Sequence, residues 1–102
     1  MTYGFVVFYR FKPMGREEAE KSRETWRRVR TEIWPKDLKI VGDYRHAWGT
    51  EWNGFLVLEC DNPQVFFEFW PVFREETRWY LDNTQTVIGV KTDPDEWGSL
   101  SR

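Results

Sequence analysis

Tyr3-Gly4-Phe5-Val6-Val7-Phe8-Tyr9-Arg10-Phe11 carries aromatic and β-branched residues in both of its alternating sets of positions. Such composition favours an extended strand. Tyr3, Phe5, Val7, Tyr9 and Phe11 fall on one face, and Val6 and Phe8 on the other. A strand that is apolar on both faces is covered on both faces. Lys12-Pro13-Met14-Gly15 stops it, because Pro13 has no N–H to give to a ladder.

Outward from this strand, Arg16 to Trp34 reads as a helix. Ala19, Trp26, Val29 and Ile33 keep helical spacing, and Ser22 fills the gap. The remaining positions are mostly charged and form a solvated face. Glu17–Lys21 and Glu24–Arg28 are i,i+4 pairs, each expected to contribute about 0.2–0.5 kcal/mol. Pro35 ends the helix. Leu38 to Trp48 reads as a second strand, and Phe55 to Cys60 as a third, with the turn at Gly49 or at Asn53-Gly54. Asp61-Asn62-Pro63 signals a helix start, with Asn62 as cap and Pro63 in the first turn. That helix bears Phe66, Phe67, Phe69, Trp70 and Phe73. Pro71 is expected to kink or split it, giving a second segment from Val72 to Leu81. Thr84 to Thr92 is the last strand. A single domain over 1–94 and a loose tail over 95–102, held at most by Trp97, complete the chain.

The order β-α-β-β-α-β defines an α+β, ferredoxin-like fold: a four-stranded antiparallel sheet with its helices on one face. The first strand makes the open face apolar, and an exposed apolar sheet is an association surface. Two copies pairing sheet to sheet would enclose a barrel.

Composition narrows the function. The chain has 102 residues, 40% of them hydrophobic and 31% charged, which excludes disordered, collagen-like and membrane-spanning classes. The opening Met1-Thr2-Tyr3-Gly4 has no basic segment leading into a cleavable apolar run, so no signal peptide is expected. The single cysteine, Cys60, fits a reducing, cytoplasmic setting and an inert packed thiol. A net charge of −2 argues against nucleic-acid binding. Three Asn and two Gln among many Glu, Lys and Arg point to a heat-tolerant source. Nineteen of 102 residues are aromatic, from 7 Trp, 4 Tyr and 8 Phe. A monomer of this length buries only about two-thirds of its surface. Some rings should therefore line a subunit interface or a ligand cavity.

The pattern resembles the dimeric α/β-barrel superfamily of small ferredoxin-like proteins. The likeness rests on three passages: the first strand running into Phe11-Lys12-Pro13; Val41-Gly42-Asp43-Tyr44-Arg45-His46; and Gly54-Phe55-Leu56-Val57-Leu58-Glu59 followed by Asp61-Asn62-Pro63. It covers roughly residues 3 to 92 and is strongest to a group of short, uncharacterised prokaryotic proteins. The resemblance implies a homodimer. It leaves the chemistry open among cofactor-free monooxygenases, isomerases, haem-degrading enzymes and plain ligand-binding domains. The haem-degrading pattern fits least. Trp70 matches its tryptophan, but the first strand has no asparagine and His46 lies on a strand. An RNA-recognition module shares the element order. Here Asn53 stands at its basic position, and Val57 at its second stacking position offers no ring.

His46, Tyr44 and Arg10 are the candidate catalytic residues. Histidine is the residue type suited to proton exchange near neutrality, and His46, the single one here, is either a general base or ligand-orienting donor in a barrel cavity or a structural histidine. Arg10 either holds a carboxylate or enolate, or forms an ion pair with Glu59 on a neighbouring strand. Phe8, Trp48, Trp70, Phe73, Trp79 and Tyr80 are the candidate ligand-binding residues. They wall an apolar pocket, or serve as core and interface. The hydroxyls of Tyr80 and Tyr44 could orient a phenolic ligand. One sequence does not fix which strand parity faces the cavity. One His and one Cys make no usual zinc site, and no dinucleotide, Walker or nucleophile-elbow motif is present. No metal or cofactor is expected. Two functions lead: a non-catalytic homodimer holding a small apolar or aromatic molecule, or a cofactor-independent monooxygenase or isomerase acting on a small aromatic or polyketide-like substrate; a third is an interaction module with no small ligand.

Overall fold

The computed structural model describes residues 1–93 and Asp95. The elements are β1 (Tyr3–Phe11), α1 (Arg16–Arg28), β2 (Lys39–Arg45), β3 (Gly54–Cys60), α2 (Pro63–Thr77) and β4 (Leu81–Val90). The strands form one antiparallel sheet in the order β2-β3-β1-β4. This is the ferredoxin-like α+β fold. The expected tail, with Trp97, lies outside the described residues apart from Asp95.

The two parities of β1 part cleanly. Phe5 and Val7 are buried beneath the helices, while Val6 and Phe8 lie on the other face of the sheet. Antiparallel pairing sets Val6 beside Val57 and Val87, and Phe8 beside Phe55 and Gln85. The core fills the space between sheet and helices: Phe5, Leu58, Phe66, Phe69 and Phe73, with Val29 and Leu38. Phe5 stacks on Phe66 with ring centroids 4.2 Å apart.

Both helices differ from the sequence expectation. The first does not run unbroken to Trp34. After Arg28 the chain widens into a π-helical turn, Val29–Ile33, in which the Trp34 N–H donates to the Val29 carbonyl at 2.8 Å. The widening lets Val29 be fully buried while Trp34 sits edge-on to Phe69, 4.8 Å away. The Trp34 indole N–H donates to the Leu38 carbonyl at 2.6 Å, tying the helix end to the approach of β2. Arg28 pairs with Glu76 of α2 rather than with Glu24. Among the described residues Glu17 and Lys21 form no ion pair either.

Pro71 does not split the second helix. α2 runs continuously from Pro63 to Thr77. Phe66, Phe69 and Phe73 bury against the sheet on both sides of the proline, and that burial outweighs the hydrogen bond Pro71 removes. The start is as expected: the Asn62 side chain accepts from the Gln64 N–H at 3.0 Å, with Pro63 next to the cap. The helix ends at Thr77, so Leu81 opens β4 instead of closing a helical segment.

The β2–β3 connection assigns its two glycines different work. Gly49 has φ +101° and supplies the left-handed residue of the loop. Asn53 and Gly54 instead dock the loop onto β1. The Asn53 N–H donates to the Tyr9 carbonyl at 2.9 Å, and its side-chain oxygen accepts from the Phe11 N–H at 2.8 Å.

Candidate functional site

The structure places the sequence-selected residues in three groups. Phe8, Arg10 and Tyr44 lie on the open sheet face. Tyr44 stacks on Phe55 at 5.0 Å, Phe55 meets Phe8 at 5.7 Å, and Phe8 meets Trp52 at 6.3 Å. The Arg10 guanidinium sits 4.7 Å from the centre of the Trp52 ring. His46 and Trp48 form the second group, in the β2–β3 connection. Both are exposed, Trp48 at 88%, and the His46 N–H donates to the Asn53 carbonyl at 2.8 Å. Trp70, Phe73, Trp79 and Tyr80 belong to the helical side of the sheet. Trp70 stacks on Phe73 at 4.4 Å, and Trp79 meets Tyr80 edge-on at 4.9 Å.

Arg10 and Glu59 do not pair. Antiparallel register sets Glu59 opposite Gly4, at the far end of β1 from Arg10. Glu59 instead lies 3.5 Å from the Lys91 ammonium.

A cleft of about 130 Å³ opens on the helical side, where the ends of β1 and β2 meet α1. Its walls include Tyr9, Trp26, Leu56, Phe73, Tyr80 and Leu81. The odd parity of β1 brings in Tyr9. The residue opposite Leu56 on β2 is Asp43, and this pairing sets Asp43 on the same side. Trp26 comes from α1 and Phe73 from α2. Tyr80 immediately precedes β4, and its carbonyl accepts from the Lys12 N–H at 2.8 Å.

The polar groups of the cleft gather at one place. The Tyr9 hydroxyl donates to Asp43 Oδ1 at 3.0 Å. Burial, followed by the negative charge of Asp43, pushes the Tyr9 hydroxyl well above the usual tyrosine range. Burial and the same charge push Tyr80 up to about 12. Both hydroxyls therefore stay protonated at neutral pH. Tyr80 is only 4% exposed, and its hydroxyl has no hydrogen-bond partner among the described residues. Arg23 and Ser22 complete the α1 side, where the Ser22 hydroxyl donates to the Ala19 carbonyl at 2.6 Å.

Chemically, the cleft is an apolar hollow with one acceptor carboxylate and one unpartnered phenol. Among the described residues no group of three His, Cys, Asp or Glu side chains is arranged to hold a metal. Cys60 is buried, its thiol pushed up by that burial and by Asp61, and it donates to the Asn62 carbonyl at 3.3 Å. It is a packed thiol, away from the cleft lining.

Sequence reasoning selected Phe73 and Tyr80 from this cleft and missed Tyr9, Trp26 and Asp43. Tyr9 and Trp26 looked like core positions on their elements. Asp43 was hidden by a register shift between Ile40 and Gly42, which moves the later residues of β2 by one relative to simple alternation. A signal was present in the sequence: Gly42 within β2 and Gly54 at the start of β3 mark where rings pass over backbone. A Cβ on Gly42 would meet the Tyr44 ring, and one on Gly54 would meet the Tyr9 ring and the Tyr44 carbonyl.

No protein-family model matches the sequence, and no curated protein matches it. Solved structures do match in fold. A dabb family protein with a ferredoxin-like fold from Mesorhizobium loti is 11% identical, with TM-score 0.64 over 90% of this chain and 98% of that one. An uncharacterized NIPSNAP domain protein from Burkholderia xenovorans is 14% identical, with TM-score 0.60 over 92% of this chain and 97% of that one. A dimeric protein of unknown function with a ferredoxin-like fold from Bacteroides fragilis is 12% identical, with TM-score 0.59 over 88% of this chain and 96% of that one. At these identities the likeness establishes a shared fold. The Burkholderia and Bacteroides neighbours are described as uncharacterized and of unknown function, and no specific activity is assigned by the three. No helix among the described residues is long and apolar enough to cross a membrane.

Proposed function

We propose that this chain is a homodimeric ligand-binding domain that pairs through its open sheet face and holds a small apolar or aromatic molecule in the cleft beside Tyr9 and Asp43. The observation that carries the pairing is the bare face itself. Val6, Phe8, Phe55 and Val57 are half-buried there with no helix or strand over them, only Trp52 beside Phe8, and Tyr44 and Val87 are about half exposed. A patch of this kind is an association surface. Gly4 and Gly89 stand side by side at one end of the face, and a Cβ on either would meet nothing. The aromatic row Tyr44–Phe55–Phe8 occupies the other end. A bulky end and a recessed end on one surface suit a self-complementary pairing. The dimeric Bacteroides fragilis neighbour supports this reading.

Binding is favoured over catalysis by the place of His46. The alternative, a cofactor-independent monooxygenase or isomerase, needs a group that exchanges protons near neutrality inside the cavity. His46 is exposed and outside the cleft lining, and both cleft tyrosines hold their protons. The net charge of −2 and the aliphatic Val57 on the open face favour a second copy of the chain over nucleic acid as occupant of that face. The lone buried thiol of Cys60 suits a reducing, cytoplasmic setting.

Native mass spectrometry of the protein purified from its own host tests both parts. The expected spectrum shows a dimer carrying a small molecule that leaves on mild activation. An empty dimer from a preparation never exposed to denaturant or organic solvent, together with no uptake of added aromatic compounds, would contradict the binding part.

A further inference from the structure

Three features of the cleft together specify a ligand, given the binding reading above. The first is size. An apolar cavity of about 150 Å³ holds one benzene ring, and this cleft is about 130 Å³. The enclosed part is therefore the size of one ring. The second is Tyr80, a residue 4% exposed whose hydroxyl has no partner among the described residues, in a lining where Trp26, Leu56, Phe73 and Leu81 stand beside the polar Ser22, Arg23 and Asp43. That hydroxyl faces the cleft and is open to water there, so a ligand that displaces the water must offer an oxygen in its place. The third is Asp43. Asp43 is exposed; Tyr9 occupies one position on its carboxylate, an ionised carboxylate offers about four, and the rest face water until a ligand displaces it. No basic residue among the described ones forms an ion pair with it.

We propose that the cleft binds a single-ring phenol, with the ring against Trp26, Leu56 and Phe73, the phenol O–H donating to Asp43 and the phenol oxygen accepting from the Tyr80 hydroxyl. A hydroxyl is the group that satisfies both partners at once, because it donates one bond and accepts others. A bare hydrocarbon ring displaces the water at both and replaces it at neither. An aryl carboxylate brings a second negative charge to Asp43. Arg23 is the opposing influence, since it also lines the cleft and would attract a carboxylate.

Four probes of similar ring size separate these contributions: toluene, anisole, phenol and benzoate. Binding is read from NMR shifts of the Trp26 and Tyr80 resonances. Phenol should bind about tenfold more tightly than toluene, as a charge-assisted hydrogen bond provides. Anisole, which accepts but cannot donate, should fall between them, and benzoate should be weakest. Asp43→Ala should reduce phenol to the level of anisole. Tyr80→Phe, which keeps the ring and so the packing, should reduce anisole to the level of toluene. The proposal is overturned, with the cleft still a binding site, if all three neutral probes bind alike or if benzoate binds best. If no probe shifts the cleft resonances at millimolar concentration, the binding reading itself fails.

Discussion

Gly54 begins β3 at a point where a side chain has no room. Its Cα faces the Tyr44 carbonyl and the end of the Tyr9 ring, and a methyl there would press on both. The backbone cannot retreat, because Asn53 is bonded to β1 on either side of Arg10. Gly54→Ala should therefore displace the Tyr9 hydroxyl from Asp43 and destabilise the fold by about 1–3 kcal/mol, the usual cost of overpacking. Urea denaturation measures the loss, and an unchanged midpoint would show that Tyr9 swings away freely. The tyrosines also set an alkaline limit. Tyr80 titrates at about 12 in the folded chain, against its ordinary value of 10.0. Below about pH 10 both states hold the proton, and stability is level. Between that point and about pH 12 the unfolded chain releases its proton while the folded chain keeps it, so stability falls as pH rises. Lysines titrate in the same range, so the comparison is with Tyr80→Phe. The difference in urea midpoint between wild type and variant should shift against the wild type from pH 9 to pH 11. Parallel curves would mean that the hydroxyl is not buried in the folded chain.

At the scale of elements, tertiary packing decides two places where local rules point elsewhere. Pro71 lies inside α2 and withholds one helical hydrogen bond, yet the helix stays whole. Pro71→Ala should stabilise the chain by about 1–3 kcal/mol, because proline is poor in a helix interior and the site's φ is already helical. A thermal melt reads the gain; a lower melting temperature would show that the proline ring itself packs. The sequence made the strands and the cap at Asn62 legible because each rests on local chemistry: alternating apolar residues, a side-chain acceptor, a residue without an N–H. It did not make the π-helical turn at Val29–Ile33 legible, because that turn exists to bury Val29 and Trp34 together against Phe69 and Phe73. The cleft was half legible for the same reason. Phe73 and Tyr80 stood out as rings, whereas Asp43 reaches the cleft only through a register shift in β2. Register irregularities depend on the neighbouring strand and leave no periodic trace in a single chain.

The whole molecule is a half-covered sheet. The helices and the Phe5–Phe66 core shield one face, and among the described residues only Trp52, beside Phe8 and Arg10, leans over the other. Val57 sits near the centre of the bare face, beside Val6 and Gly42. A charge there lies on the surface of a monomer but in the middle of a dimer, so Val57→Lys should spare the fold and oppose association. Sedimentation equilibrium at micromolar concentration compares the two proteins directly. The wild type should sediment as a dimer, and Val57→Lys as a folded monomer with unchanged circular dichroism. A stable, non-aggregating wild-type monomer at that concentration would contradict the account.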